Sequence, residues 1–187
     1  MEERENKENL NLIPTDFYSF STGRPFERCI ECDKYLLDDE LYMIEKAIKQ
    51  YPGYSAQDVI FEYAICLDCA DRMKNDLSKE SMINIQNWFT ENIDPSRFWN
   101  GVGSDECLVS GDKKSELQEY QIYAYCKGRS LSNFQPPFMI GGPVLDKLAD
   151  LMSDETTDEL NRFMDKHFGP PPEWLEDVPG GRKLIFI

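Results

Sequence analysis

The hydrophobic positions of this chain change period several times, and each change marks an element. Val59-Ile-Phe-Glu-Tyr-Ala-Ile65 is a run rich in β-branched and aromatic residues, which predicts a strand. Ala70-Asp-Arg-Met-Lys-Asn-Asp-Leu77 then reads as a helix. Upstream, Tyr35-Leu-Leu and Leu41-Tyr-Met-Ile44 read as extended segments around the polar turn Asp38-Asp39-Glu40. Ser78 is placed to cap a second helix, with Met82, Ile85, Trp88 and Phe89 at helical spacing and Asp94-Pro95 as its stop.

The later part of the chain is patterned as strongly. Pro143 starts a helix after Gly141-Gly142 and buries Leu145, Leu148 and Met152. Another helix follows, in which Thr156 and Glu159 have capping-box spacing and Leu160, Phe163, Met164 and Phe168 form an apolar stripe that stops at Gly169-Pro-Pro-Pro172. Lys183-Leu-Ile-Phe-Ile187 reads as a short strand, or as a hydrophobic tail that docks into another molecule. Residues 1 to 15 are polar and charge-rich and are expected to form a flexible tail, with Phe17, Tyr18 and Phe20 docking as the fold begins. Asn100-Gly-Val-Gly-Ser104 reads as a linker, which divides the chain into a lobe at 16–100 and a second at 101–187.

Two Cys-x-x-Cys pairs, Cys29/Cys32 and Cys66/Cys69, carry the clearest chemistry. Short knuckles of this kind turn two sulfurs toward one point, so the four thiols are a candidate tetrahedral Zn²⁺ site. A redox dithiol is the weaker alternative, because Glu31 and Asp68 lie between the cysteines and oppose thiolate formation, and no βαβ pattern surrounds them. The order of knuckle, strand pair and two ligands at a helix start resembles the treble-clef zinc fingers over residues 26–77. As a whole the chain resembles small zinc-binding proteins. The resemblance implies one structural zinc, held by Cys29, Cys32, Cys66 and Cys69, with the helix amides balancing thiolate charge.

The second half echoes the first. Cys107-Leu-Val-Ser110-Gly-Asp-Lys is similar to Cys29-Ile-Glu-Cys32-Asp-Lys, and Gln121-Ile-Tyr-Ala-Tyr-Cys126 to Phe61-Glu-Tyr-Ala-Ile-Cys66. Aligned so, Ser110 and Arg129 replace the second and fourth ligands, and a duplicated lobe would have lost its metal and be held by Tyr120, Ile122, Tyr123 and Tyr125. Coincidence between similar strands is the competing explanation. The expected fold is therefore α+β, with a zinc-stapled treble-clef-like N-terminal lobe and a similar metal-free C-terminal lobe carrying two terminal helices.

Charge and composition narrow the function. Lys and Arg number 20 against 35 Asp and Glu, a formal charge of −15 that repels phosphate backbones and argues against nucleic acid. The polar N-terminus and the lack of a run of about 20 apolar residues argue against secretion and against a membrane span, so the expected location is cytoplasmic. Six cysteines in a reducing compartment suit metal binding, leaving Cys107 and Cys126 as reduced thiols in or near the core. The reading is a zinc-binding interaction or adaptor protein with a protein partner. The alternative is a redox or hydrolytic enzyme, whose site would lie around Cys107, Cys126 and the single histidine, His167. His167, near the C-terminus of the last helix, also suits a structural or dipole-stabilised role.

Overall fold

The computed structural model describes residues 12–51, 53–99, 103–133 and 135–170. The expected strand at Lys183–Ile187, most of the N-terminal tail and the first residues of the linker lie outside the described residues. The fold is α+β. A five-stranded antiparallel sheet is built from β1 (Leu41–Gln50), β2 (Gln57–Cys66), β3 (Glu119–Lys127), β4 (Ser130–Leu131) and β5 (Phe138–Gly141). Among the described residues there are five α-helices: α1 (Leu67–Asp76), α2 (Lys79–Asn92), α3 (Pro95–Trp99), α4 (Gly142–Asp150) and α5 (Asp154–Phe168).

β1 is central, with β2 on one side and β3 on the other, and β3 shares its far edge between β4 and β5. Its position explains its sequence. Met43 to Ile48 are all buried, including Glu45 and Lys46, because both faces of the strand are covered. The first extended segment expected from the sequence is displaced. Strand β1 starts at Leu41 and runs well past Ile44, while Tyr35 only closes a bridge to Arg28. Hydrophobicity at 35–37 reflects burial of Leu36 and Leu37 in a turn, not a strand.

The two faces are covered differently. On the face of Lys46, Ile48 and Tyr120 lies the segment around a short 3-10 turn, Thr15–Phe17, with Phe17 buried and Phe20 exposed. Lys46 Nζ donates to Tyr18 O at 2.6 Å and pairs with Glu62 at 3.1 Å. The Glu62 carboxylate in turn accepts from Phe20 N and from Ser19 Oγ. One ion pair, almost closed to water, therefore fastens the N-terminal segment to the sheet.

On the opposite face lie Glu45, Phe61, Tyr63, Tyr123 and Phe138, beneath α2 and α5. Phe163 and Phe168 of α5 meet the Tyr63 ring at 5.3 and 6.2 Å, while Ile85 and Phe89 of α2 line a groove with Tyr125 and Phe138. The two helices begin side by side through an exchange of caps. Ser78 Oγ accepts from Ser81 N and Ser153 Oγ from Thr156 N, while Ser78 N donates to Thr156 Oγ1 and Ser153 N to Ser81 Oγ. The α5 cap is thus Ser153, three residues before the Thr156 expected from capping-box spacing, because Thr156 is occupied in capping its neighbour.

A constant sequence offset relates the two knuckle regions. Cys29 N donates to Lys34 O, Asp33 N to Cys29 O and Leu36 N to Glu27 O. The same three bonds recur as Cys107 N to Asp112 O, Gly111 N to Cys107 O and Lys114 N to Asp105 O. Asp33 and Gly111 both take positive φ, at 59° and 79°. Ile30 N bonds Ala64 O as Leu108 N bonds Met139 O, and Tyr42 faces Cys66 across β1–β2 as Tyr120 faces Gly141 across β3–β5. The strand that corresponds to β1 is therefore β3, and the one that corresponds to β2 is β5. The sequence match of Cys66 with Cys126 is corrected by this register. Cys126 lies on β3 opposite Tyr42, and Gly141 occupies the place equivalent to Cys66.

Glu45 gives the fold a pH dependence. It is wholly buried, accepts from Tyr63 Oη, and leaves Oε1 without a partner among the described residues. Burial pushes its carboxyl up to about 8 from an ordinary 4.5, against the lowering effect of the Tyr63 hydrogen bond. The folded state holds this proton more tightly than the unfolded chain. Its contribution to stability therefore falls as pH rises from about 4.5 toward about 8 and is level above. Glu45→Gln keeps the shape and removes the ionisation. Denaturant melts should show the variant more stable by roughly 4 kcal/mol at pH 8 and little changed at pH 4.5.

Candidate metal centre

The first pair of thiols is set by the Cys29–Cys32 knuckle, closed by the Arg28–Tyr35 bridge and pinned to β2 through Ile30 N to Ala64 O at 2.9 Å. The second pair is set by the end of β2. Cys66 is the N-cap residue of α1, in extended conformation, and Cys69 falls in the first helical turn. Cys66 N donates to Cys29 Sγ at 3.3 Å, which links the two pairs directly. A strand that stops at a helix start is what the run Val59–Ile65 followed by a helical pattern calls for.

These elements bring the four Sγ atoms of Cys29, Cys32, Cys66 and Cys69 within 4.8 Å of one another. Cys32 Sγ and Cys66 Sγ are 3.8 Å apart. A ZnS₄ tetrahedron with Zn–S of about 2.3 Å has edges of about 3.8 Å, so that spacing is the one a shared cation would impose. Burial pushes the Cys66 and Cys69 thiols up, while hydrogen bonds from Cys66 and Arg72 act on Cys69 in the opposite sense. For Cys32 burial also pushes up, but the backbone N–H of Lys34 and the neighbouring thiols outweigh it and leave this thiol below its ordinary value. Buried sulfurs of this kind ionise together only with a cation among them. Four thiolates around one ion would close its coordination shell, so the cluster suits a structural ion rather than one with an open position for a substrate.

Two neighbours of the cluster escaped sequence reasoning. Arg72 Nη2 donates to Cys69 Sγ at 2.8 Å, and its i+3 spacing from Cys69 on α1 was a usable signal. Glu31, between the first two cysteines, accepts from Lys166 Nζ at 2.8 Å and pairs with His167 Nε2 at 2.6 Å. Burial raises the Glu31 carboxyl, but Lys166 and His167 together hold it below the usual range. His167 is thus a latch between α5 and the knuckle. No local pattern announces a pair of residues so far apart in the chain.

The residues of the alternative site are dispersed. Cys107 Sγ accepts from Gly141 N at 3.3 Å, at the Tyr120 end of β3. Cys126 lies about 20 Å further along the extended strand, its thiol pushed up to about 12 by burial, and His167 is held at the Glu31 knuckle. Cys107 and Cys126 are free, buried thiols, as expected. Of the positions equivalent to the four sulfurs, only Cys107 keeps a thiol. A Cβ at Gly141 would meet Leu117 Cδ1 at 3.0 Å, so the Leu117 side chain fills the space a second cysteine would need. Arg97 donates to the carbonyls of Cys107 and Val109 at 3.2 and 3.3 Å, a cross-link by guanidinium where the other knuckle has its sulfur cluster.

No protein-family model, curated protein or solved structure matches this chain. Among the described residues no helix is long and apolar enough to cross a membrane.

The packing at Gly141 can be measured. Gly141→Ala should destabilise the protein by about 1–3 kcal/mol through its clash with Leu117. Combining it with Leu117→Ala should make the two losses less than additive in a double-mutant cycle, because the second change opens the space the first requires.

Proposed function

We propose that the chain is a zinc-stapled protein-interaction module, with one structural Zn²⁺ held by Cys29, Cys32, Cys66 and Cys69 in a treble-clef-like N-terminal lobe. The observation that carries this reading is the convergence of four sulfurs with a tetrahedral edge of 3.8 Å. The C-terminal lobe is read as a metal-free copy of the first. The recurring knuckle hydrogen bonds and the matching β1–β2 and β3–β5 registers support that reading. In the copy the metal is replaced by Leu117 packing and the Arg97 cross-link.

An interaction role rather than catalysis is favoured because the sulfur shell is closed and Cys107, Cys126 and His167 are engaged separately in structure. The partner is a protein. A formal charge of −15 favours a basic surface and disfavours nucleic acid.

Purified protein should contain about one zinc per chain by elemental analysis. Cys66→Ser should lose it and unfold the metal-bearing lobe, since structural zinc contributes roughly 10–16 kcal/mol to finger folding. A fully folded wild-type protein without metal would refute the proposal. Capture of a basic protein whose affinity falls as salt is raised should follow from affinity purification in the native cell. Tight nucleic-acid binding at physiological salt, or turnover that disappears in His167→Ala with the fold intact, would displace the interaction reading.

A further inference from the structure

The four sulfurs are not equivalent. Cys29, Cys66 and Cys69 are 0–2% exposed, whereas Cys32 is exposed. Cys32 opens onto a cleft of about 520 Å³ between α1 and α5, floored by Met73, Leu77 and Phe163 and edged by Arg72, Arg162 and Lys166. Cys69 also lines this cleft but is 2% exposed, so Cys32 is the thiol of the two that solutes in the cleft can reach. Cys66 Sγ, a buried sulfur, lies 3.8 Å from Cys32 Sγ, so an oxidised Cys32 has a resolving thiol at hand. Cys107 and Cys126 are fully buried and have no such access.

The geometry points to Cys32 as a peroxide-reactive modification site that releases the proposed zinc through a Cys32–Cys66 disulfide. This inference rests on the zinc reading above. Zinc-bound thiolates keep nucleophilic character, and susceptibility to oxidation follows thiolate character and exposure. In the first step the Cys32 thiolate attacks one oxygen of hydrogen peroxide. An S–O bond forms, the O–O bond breaks and hydroxide leaves. In the second step the Cys66 thiolate attacks the Cys32 sulfur. An S–S bond forms, the S–O bond breaks and a second hydroxide leaves. The two sulfurs together give up two electrons, and peroxide takes them. Two of the four thiolates that would hold the ion are then spent, and the Cys29 and Cys69 that remain are too few to retain it. Because Glu31 sits beside Cys32 and holds Lys166 and His167, the same step loosens the end of α5 from the knuckle.

The test uses the full zinc-loaded chain, titrated with hydrogen peroxide in the presence of a chromogenic zinc chelator. Thiols are then blocked and peptides mapped by mass spectrometry. Release of about one zinc per two-electron oxidation is expected, with Cys32 in the first disulfide, Cys66 as its partner, and Cys107 and Cys126 still reduced. Dithiothreitol with added zinc should restore the starting state. Cys32→Asp, which keeps an oxygen ligand, should slow peroxide-driven zinc release at least tenfold. If that variant holds no zinc, the peptide map of the wild-type chain decides alone. A first disulfide without Cys32, or zinc retained after the cysteines are oxidised, overturns this inference and leaves the zinc reading standing. A folded protein that holds no zinc as purified overturns both.

Discussion

The antiparallel pairing of β1 with β3 is the constraint on which the rest of this molecule depends. It runs from Leu41 opposite Lys127 to Lys49 opposite Glu119, and it joins what would otherwise be two small hairpin-and-helix units. Either unit alone would have little core, since one face of a two- or three-stranded sheet cannot bury enough apolar surface. Joined, they form one sheet whose central strand is covered on both faces. The cost falls on Glu45 and Lys46, adjacent charged residues pointing to opposite sides of a buried strand. Lys46 is matched by Glu62 and a backbone carbonyl. Among the described residues Glu45 has only the Tyr63 hydroxyl, and burial favours its neutral form.

The helices make the joining hard to undo. α2 and α5 start together at the crossed Ser78, Ser81, Ser153 and Thr156 caps and then diverge. α2, which follows the four-cysteine knuckle in sequence, packs toward Leu108 and Phe138 in the other half. α5, which follows the half without the four-cysteine cluster, packs on Phe61 and Tyr63 and latches to Glu31. Each half is thus covered by the helix of the other. Glu31, between the first two cysteines of the cluster, ties the knuckle to the end of α5.

The comparison of the two knuckles shows two ways of satisfying one loop. Both use the same backbone hydrogen bonds and a residue at positive φ. In the first, four sulfurs converge at a spacing that suits a shared cation. In the second, the space is closed by Leu117 against Gly141 and the carbonyls are bound by Arg97, so apolar packing and a guanidinium do the work of an ion. The backbone geometry of the knuckle therefore does not depend on which of the two solutions is adopted.

The elements, and the four thiols as a metal-binding set, were legible in the sequence because both depend on local spacing. Cys-x-x-Cys turns, the apolar run before Cys66, Pro143 after two glycines and the helical stripes of α2 and α5 all express rules that act within a few residues. Pairing does not. That Cys126 belongs to the strand equivalent to β1, and that Gly141 stands in the place of Cys66, follow from register between strands separated by long stretches of chain. Two similar strand sequences are locally indistinguishable, and only the hydrogen-bonded partner tells them apart. The Glu31–His167 latch, the burial of Glu45 and the exposure of Cys32 alone among the four thiols likewise arise only when distant surfaces meet, because they depend on what covers each residue and not on its neighbours in sequence.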